Sequence, residues 1–187
     1  MRQPTPDLLP AMIRRGIPER TIRATMAPEL QVTEALKAAA EVKESIVVLA
    51  GNAGVGKSLA ACLWLFEQAK GAPECMRWVQ SGDLARGYSY DAEAFEGITT
   101  VWALVIDDFG VEYLDSKDRF KVTLEEVLAR RFGKMRRTMM TTNILDAGEF
   151  AERYGKRIAS RIHEDGAFIV CGGPDLRRKG APSTTPP

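Results

Sequence analysis

Residues 51–58 read GNAGVGKS and match the pattern G-x-x-x-x-G-K-[ST] at every position. Gly51, Gly54 and Gly56 allow the backbone to curl so that its N–H groups point at the β- and γ-phosphates of a nucleotide. Lys57 adds a positive charge for those phosphates, and the Ser58 hydroxyl can ligate Mg²⁺. The sequence therefore predicts an ATP and Mg²⁺ site formed by Gly51, Asn52, Ala53, Gly54, Val55, Gly56, Lys57, Ser58 and Leu59.

A pair of acids ends a second apolar run, ALVIDD at 103–108. A nucleoside triphosphatase needs a carboxylate at the C-terminal end of a neighbouring strand to hold Mg²⁺, and Asp107 has such a position. Asp108 is placed to orient or deprotonate the attacking water. Asn143 follows a third apolar run, where it could help to position that water. Together these motifs predict an enzyme that hydrolyses ATP to ADP and phosphate.

Short apolar runs alternate with segments of helical periodicity along the chain. This alternation is typical of an α/β protein built on a parallel sheet. We predict strands at 45–50, 76–80, 101–108, 138–143 and 167–173. We predict helices near 8–15, over 34–44 and 58–70, from Ser81, and over 118–134 and 147–162 with a break at Gly155.

The 187 residues are expected to form one core, because no internal repeat or second set of core segments is visible. We predict an N-terminal arm and helix at 1–44, an ATPase core at 45–177 and a flexible tail at 178–187. No apolar run reaches the roughly 18 residues of a membrane span, so no membrane association is expected. The N-terminus lacks a secretory signal pattern, which favours a cytoplasmic location.

The formal net charge is only +1, yet basic residues crowd one segment. They are Arg130, Arg131, Lys134, Arg136 and Arg137. Such side chains contact DNA phosphates independently of sequence, and Phe132 among them could stack on an unpaired base. We therefore expect DNA binding, with single-stranded DNA favoured over duplex. A solvated helix face or a subunit contact explains the cluster equally well, and Tyr88 and Tyr90 fit core packing better than base stacking.

The motifs together resemble those of AAA+ ATPases, in particular the DnaC/IstB-like family of bacterial helicase loaders and transposition helper ATPases. The matching pieces are GIPER (16–20), GNAGVGKS, VIDDFG (105–110), TTN (141–143), RIASRI (157–162) and DLR (175–177). The resemblance implies a three-layer P-loop fold of the AAA+ type with a five-stranded parallel sheet. It assigns Asp107 to Mg²⁺, Asp108 to the place of the common catalytic glutamate, and Asn143 to sensor 1.

The resemblance also implies an arginine finger in RIASRI, at Arg161 or, on the same helical face, at Arg157. A finger acts in trans on the nucleotide of a neighbouring subunit, so it implies a homo-oligomer with ATP at the subunit boundaries. Because the sequence after DLR is short, we expect a helical lid that is reduced or absent. Arg177 is then a candidate substitute for a lid-borne sensor 2 residue.

Three functions remain open on the sequence. The leading hypothesis is an ATP-driven protein of DNA replication that loads or remodels a replicative helicase on DNA. The alternatives are a transposition helper ATPase that regulates a transposase, and a nucleotide-dependent binding module of low turnover. A small-molecule kinase is disfavoured, because the double acid and Asn143 fit ATP hydrolysis better.

Overall fold

The computed structural model describes residues 1–86, 91–110 and 119–177. Within these ranges the strands are β1 (Ile46–Gly51), β2 (Met76–Gln80), β3 (Ala103–Phe109), β4 (Arg137–Thr142) and β5 (Gly166–Cys171). They form one sheet in the order β2-β3-β4-β1-β5, and every neighbouring pair is parallel. This confirms the predicted α/β class and the five-stranded parallel sheet.

The helices lie on both faces of this sheet. Their bounds are α1 (Leu9–Arg14), α2 (Glu19–Thr25), α3 (Glu34–Glu41), α4 (Lys57–Gln68), α5 (Ser81–Arg86), α6 (Ala92–Thr100), α7 (Arg119–Phe132), α8 (Ala147–Tyr154) and α9 (Lys156–Asp165). The predicted break at Gly155 is confirmed, because this glycine has φ +107 between α8 and α9. The sequence did not predict α2 or α6.

All six residues of β1 are buried, as expected of a central strand that helices cover on both faces. Side chains alternate between the faces of a strand, so Val47 and Leu49 join one core cluster while Ile46 and Val48 join the other. The first cluster contains α4, α3 and the N-terminal helices. The second contains α7, α8 and α9, which completes three layers.

The N-terminal arm is more ordered than the sequence indicated. Met12, Ile17 and Ile22 are buried in the first core cluster, and the prediction of a single short helix before residue 34 is wrong because α2 follows α1. The arm also covers the outer edge of β2, where the Trp78 N–H donates to the carbonyl of Arg15 at 2.9 Å. A Cβ at Gly16 would lie 2.3 Å from the Trp78 carbonyl oxygen, so this close approach requires glycine. The domain bounds at 1–44 and 45–177 stay predictions.

No helix among the described residues is both long and apolar enough to cross a membrane. Tyr88, Tyr90 and the predicted tail at 178–187 lie outside the described residues.

Candidate nucleotide-binding site

The phosphate loop connects the end of β1 to the start of α4, as the sequence predicted. Gly54 and Gly56 have φ of +85 and +92, a region that favours glycine. Because α4 begins at Lys57, the free N–H groups of its first turn and the positive end of its dipole face the loop. The loop and helix thus form an anion cradle whose shape two glycines fix.

The side chain of Lys57 packs against this loop, and the residue is only 8% exposed. Its Nζ donates to the carbonyls of Gly51 at 2.6 Å and Asn52 at 2.9 Å. It also donates to Oδ1 of Asn143 at 2.9 Å. Burial lowers the pKa of Lys57, although the nearby charges of Asp108 and Asp107 oppose that effect. The structure therefore brings the predicted sensor Asn143 into direct contact with Lys57, the predicted phosphate-binding lysine.

Asp107 lies two residues before the end of β3 and is 6% exposed. Its Oδ1 accepts a hydrogen bond from the Ser58 hydroxyl at 3.1 Å and another from the Thr141 hydroxyl. Burial raises the pKa of Asp107, and the hydrogen bonds from Thr141 and Ser58 partly offset this effect. Adjacent ligands of an octahedral Mg²⁺ lie about 2.9 Å apart, so the Ser58 and Asp107 oxygens fit the predicted magnesium pair.

Asp108 follows at the edge of the site with an exposed side chain. It has φ +67, which is rare for a residue other than glycine and is tolerated best by Asn and Asp. Its N–H donates to the Thr141 hydroxyl at 3.0 Å, and its carbonyl accepts from the Ser81 hydroxyl at 2.7 Å. Among nearby acids, the Asp108 carboxylate does most to raise the pKa of Lys57 against the effect of burial, consistent with a place beside the phosphates.

The segment DLR lies on the outside of the phosphate loop. The Leu176 N–H donates to the Gly54 carbonyl at 3.0 Å. A Cβ at Gly54 would lie 1.8 Å from Oδ1 and 3.0 Å from Cα of Asp175, so a larger residue here would displace Asp175. The positive charge of Arg177 is among the influences that lower the pKa of Lys57, after burial. Arg177 thus lies near the site, and its role as a sensor 2 substitute stays a prediction.

The two finger candidates are both on α9. The side chain of Arg157 is 80% exposed and forms a 3.4 Å ion pair with Glu125 of α7. Arg161 is partly buried, and its Nη1 has no hydrogen-bond partner among the described residues. In the described part of the chain, no hydrogen bond or ion pair joins either arginine to the phosphate loop. A finger that acts on another subunit would have this arrangement, and the assignment stays a prediction.

The predicted basic surface is wrong for Arg131, which is 0% exposed. Its guanidinium donates to the Thr138 hydroxyl and to the carbonyls of Ile98, Val101, Trp102 and Arg137. Arg136 and Arg137 also donate to backbone carbonyls, those of Thr99 and Lys43. These bonds hold the N-terminal ends of β3 and β4, at the opposite end of the sheet from the phosphate loop. Three of the five basic residues therefore hold the fold together.

Sequence reasoning missed Ser81 and Thr141 as parts of the site, and it missed Glu34. The carboxylate of Glu34 accepts a 2.6 Å hydrogen bond from the Gly172 N–H and thereby ties α3 to the segment that covers the loop. Thr141 belongs to the TTN motif, but the sequence indicated a role only for Asn143 of that motif. A serine directly after a strand gives no comparable signal.

The parallel sheet, the loop between β1 and α4 and the acidic end of β3 define a P-loop nucleoside triphosphatase fold of the AAA+ type. Neither a protein-family model nor a curated protein matches this chain. Solved structures do match it in fold, and the three described next are 17–20% identical in sequence.

A crystal structure of the DnaC helicase loader is 20% identical with a TM-score of 0.58, over 80% of this chain and 88% of that chain. A structure of DnaI is 19% identical with a TM-score of 0.61, over 88% of this chain and 99% of that chain. The replication initiator DnaA bound to AMPPCP and single-stranded DNA is 17% identical with a TM-score of 0.60, over 77% of this chain and 46% of that chain. At this identity the similarity shows the fold, and it confirms the predicted resemblance at that level.

Proposed function

We propose that this chain is an ATPase of DNA replication that loads or remodels a replicative helicase on DNA in the cytoplasm. The observation that carries the ATPase proposal is the hydrogen bond between Ser58 and Asp107 beneath the phosphate loop. It joins the two oxygens that a triphosphate-bound Mg²⁺ requires, from two segments far apart in sequence.

The residues present fit ATP and Mg²⁺. The glycine cradle and the N-terminus of α4 would hold the phosphates, and Lys57 would turn its Nζ from the loop carbonyls to them. Ser58 and Asp107 would hold Mg²⁺, which when bound neutralises the charge that develops on the phosphates. Asp108 would accept the proton of the attacking water, and Asn143 would orient that water by a hydrogen bond.

The oligomer is part of the proposal. Arg161 or Arg157 would supply a positive charge to the nucleotide of the next subunit, so that hydrolysis requires assembly. Nη1 of Arg161 supports this: it finds no acceptor within residues 1–86, 91–110 and 119–177, and a partly buried guanidinium N–H without an acceptor is costly unless a partner provides one.

The replication role is supported by fold similarity to a helicase loader and to an initiator bound to single-stranded DNA. We propose that this chain also binds single-stranded DNA and a helicase, with ATP stabilising the assembly and hydrolysis releasing it. The buried Arg131 does not contribute to DNA binding.

The test is a reconstituted loading assay with the replicative helicase of the source cell on circular single-stranded DNA. ATP should raise the amount of helicase bound to the circle, and Asp108→Asn should trap the complex. If ATP has no effect with the helicase but changes transposase activity on duplex DNA, the transposition alternative replaces the proposal. ATP binding without turnover under any of these conditions would indicate the low-turnover binding module.

A further inference from the structure

Two buried hydroxyls hold the backbone of Asp108 in its unusual conformation. Ser81 is 0% exposed and Thr141 is 1% exposed, and each bonds to one backbone polar group of Asp108. Ser81 is the first residue of α5, directly after β2, and Thr141 is in β4. Asp108 is therefore held from both sides of β3.

The regular hydrogen bonds between β3 and β4 do not hold Asp108 in place. The register between β3 and β4 shifts between Ile106 and Phe109, so a bulge interrupts the pairing at Asp107 and Asp108. Bulges redirect a side chain and leave backbone groups without ladder partners. At Asp108 the Thr141 and Ser81 hydroxyls provide those partners.

Thr141 connects both acids of the site. Its oxygen accepts from the Asp108 N–H while its hydroxyl donates to the Asp107 carboxylate. A hydroxyl can donate one hydrogen bond and accept two, so one side chain can do both. Valine has nearly the same shape and can do neither, whereas serine keeps both functions.

We propose that Ser81 and Thr141 are positioning residues for ATP hydrolysis, which fix the left-handed backbone of Asp108 and thereby aim its carboxylate at the attacking water. The inference rests on the proposed ATPase function. Loss of either hydroxyl lets Asp108 relax toward the common φ region, which swings its Cβ away. A displacement of about 1 Å at a reacting group costs about 100-fold in rate.

The test compares Ser81→Ala, Thr141→Val and Thr141→Ser in the full chain. We expect Ser81→Ala and Thr141→Val to lower kcat about 10- to 100-fold. ATP affinity measured without Mg²⁺ should stay within about threefold of the wild type, because the phosphate loop is untouched. Thr141→Ser should keep most of the activity, which a loss of packing alone would not predict.

Thr138→Val is the matched control. Thr138 is on the same strand, is 0% exposed and accepts a hydrogen bond from Arg131 at the opposite end of β4. The Thr138→Val substitution should lower the melting temperature and leave kcat of the folded protein unchanged. A second readout needs no turnover: amide hydrogen exchange at Asp108 should be slow in the wild type and Thr141→Ser, and fast in Thr141→Val.

Two outcomes overturn the inference in different ways. If the wild type hydrolyses ATP and Asp108→Asn does not, while Ser81→Ala and Thr141→Val keep full activity, the hydroxyls do not position Asp108 and the ATPase function stands. If the wild type hydrolyses no ATP with or without helicase and DNA, the ATPase function and the inference fall together.

Discussion

Nζ of Lys57 lies 2.9 Å from Oδ1 of Asn143, so the phosphate-binding lysine and the predicted sensor are directly hydrogen-bonded. The bond crosses from the start of α4 to the end of β4. A ligand that draws Lys57 to its phosphates therefore frees the Asn143 amide at the same moment. In the proposed function, this contact would link nucleotide binding to the readiness of Asn143 to orient water.

Lys57→Ala should lower ATP affinity by about 100-fold or more, because it removes a buried positive charge and its hydrogen bonds to phosphate. Isothermal titration calorimetry measures the loss. The matched control is Lys134→Ala, since Lys134 is exposed and follows α7 at the opposite end of the sheet. Equal affinities for the two variants would contradict the assignment of the phosphate loop.

Asn143→Ala should leave ATP affinity within about threefold of the wild type and lower hydrolysis about 100-fold. The reason is that the amide orients the water while the loop and Lys57 supply the binding. A phosphate-release assay alongside equilibrium binding separates the two effects. Reduced affinity with an unchanged kcat would mean that Asn143 only supports Lys57.

Asp107→Asn should stabilise the ligand-free protein while it weakens Mg²⁺-dependent ATP binding. Burial raises the pKa of Asp107, so the folded protein binds this proton more tightly than the unfolded chain does. Stability therefore falls as the pH rises from the unfolded pKa of about 3.9 through the higher folded value.

In chelator at pH 7, Asp107→Asn should raise the free energy of unfolding by up to about 1 kcal/mol. The gain should shrink as the pH falls and vanish below the unfolded pKa, where both proteins are uncharged at this position. Urea titrations across this pH range give the comparison. A gain that is constant with pH would show that the burial of the carboxylate is not its cause.

Arg161→Ala should bind ATP normally and lose about 1,000-fold in hydrolysis, as expected for a finger in trans. Mixing it with Lys57→Ala should restore part of the activity, since each variant supplies what the other lacks at a mixed boundary. Arg157→Ala on the same helical face tests the other candidate, and the variant that loses hydrolysis and is rescued in the mixture identifies the finger. No rescue in the mixture, with a specific activity independent of protein concentration, would indicate a monomeric enzyme.

Arg131→Lys should lower the free energy of unfolding by about 3 kcal/mol, because an ammonium group cannot satisfy the acceptors that the buried guanidinium bonds. The neighbouring Arg130 is 51% exposed and pairs with Glu126 on the same helix. Arg130→Lys should therefore change stability by less than about 0.5 kcal/mol. Similar denaturant midpoints for the two variants would contradict the structural role of Arg131.

Site residues that lie close together in the sequence, or at the end of a predicted strand, could be predicted from the sequence. The phosphate loop has its glycines, Lys57 and Ser58 within eight residues, and the end of a parallel strand places Asp107 beside them. Arg131 could not be placed in this way, because its acceptors are mainly carbonyls in segments that only the fold brings together. The sequence does not distinguish a basic residue that contacts water or DNA from one that donates to backbone carbonyls.

Asp108 was identified from its position, but its conformation was not predictable. The left-handed φ arises from a bulge in β3 that depends on its pairing with β4. The partners that hold it, Ser81 and Thr141, are separated from it by 27 and 33 residues. Hydroxyls that follow apolar strands are too common in sequences to mark such a role.

The segment from Gly172 to Leu176 connects the phosphate loop to α3. Leu176 bonds to Gly54 in the phosphate loop, and Gly172 bonds to Glu34 at the start of α3. The second bond leads to the N-terminal part of the chain, whose helices lie against α4 and the outer edge of β2. Two hydrogen bonds and a five-residue segment therefore form a continuous path from the phosphate loop to the N-terminal helices.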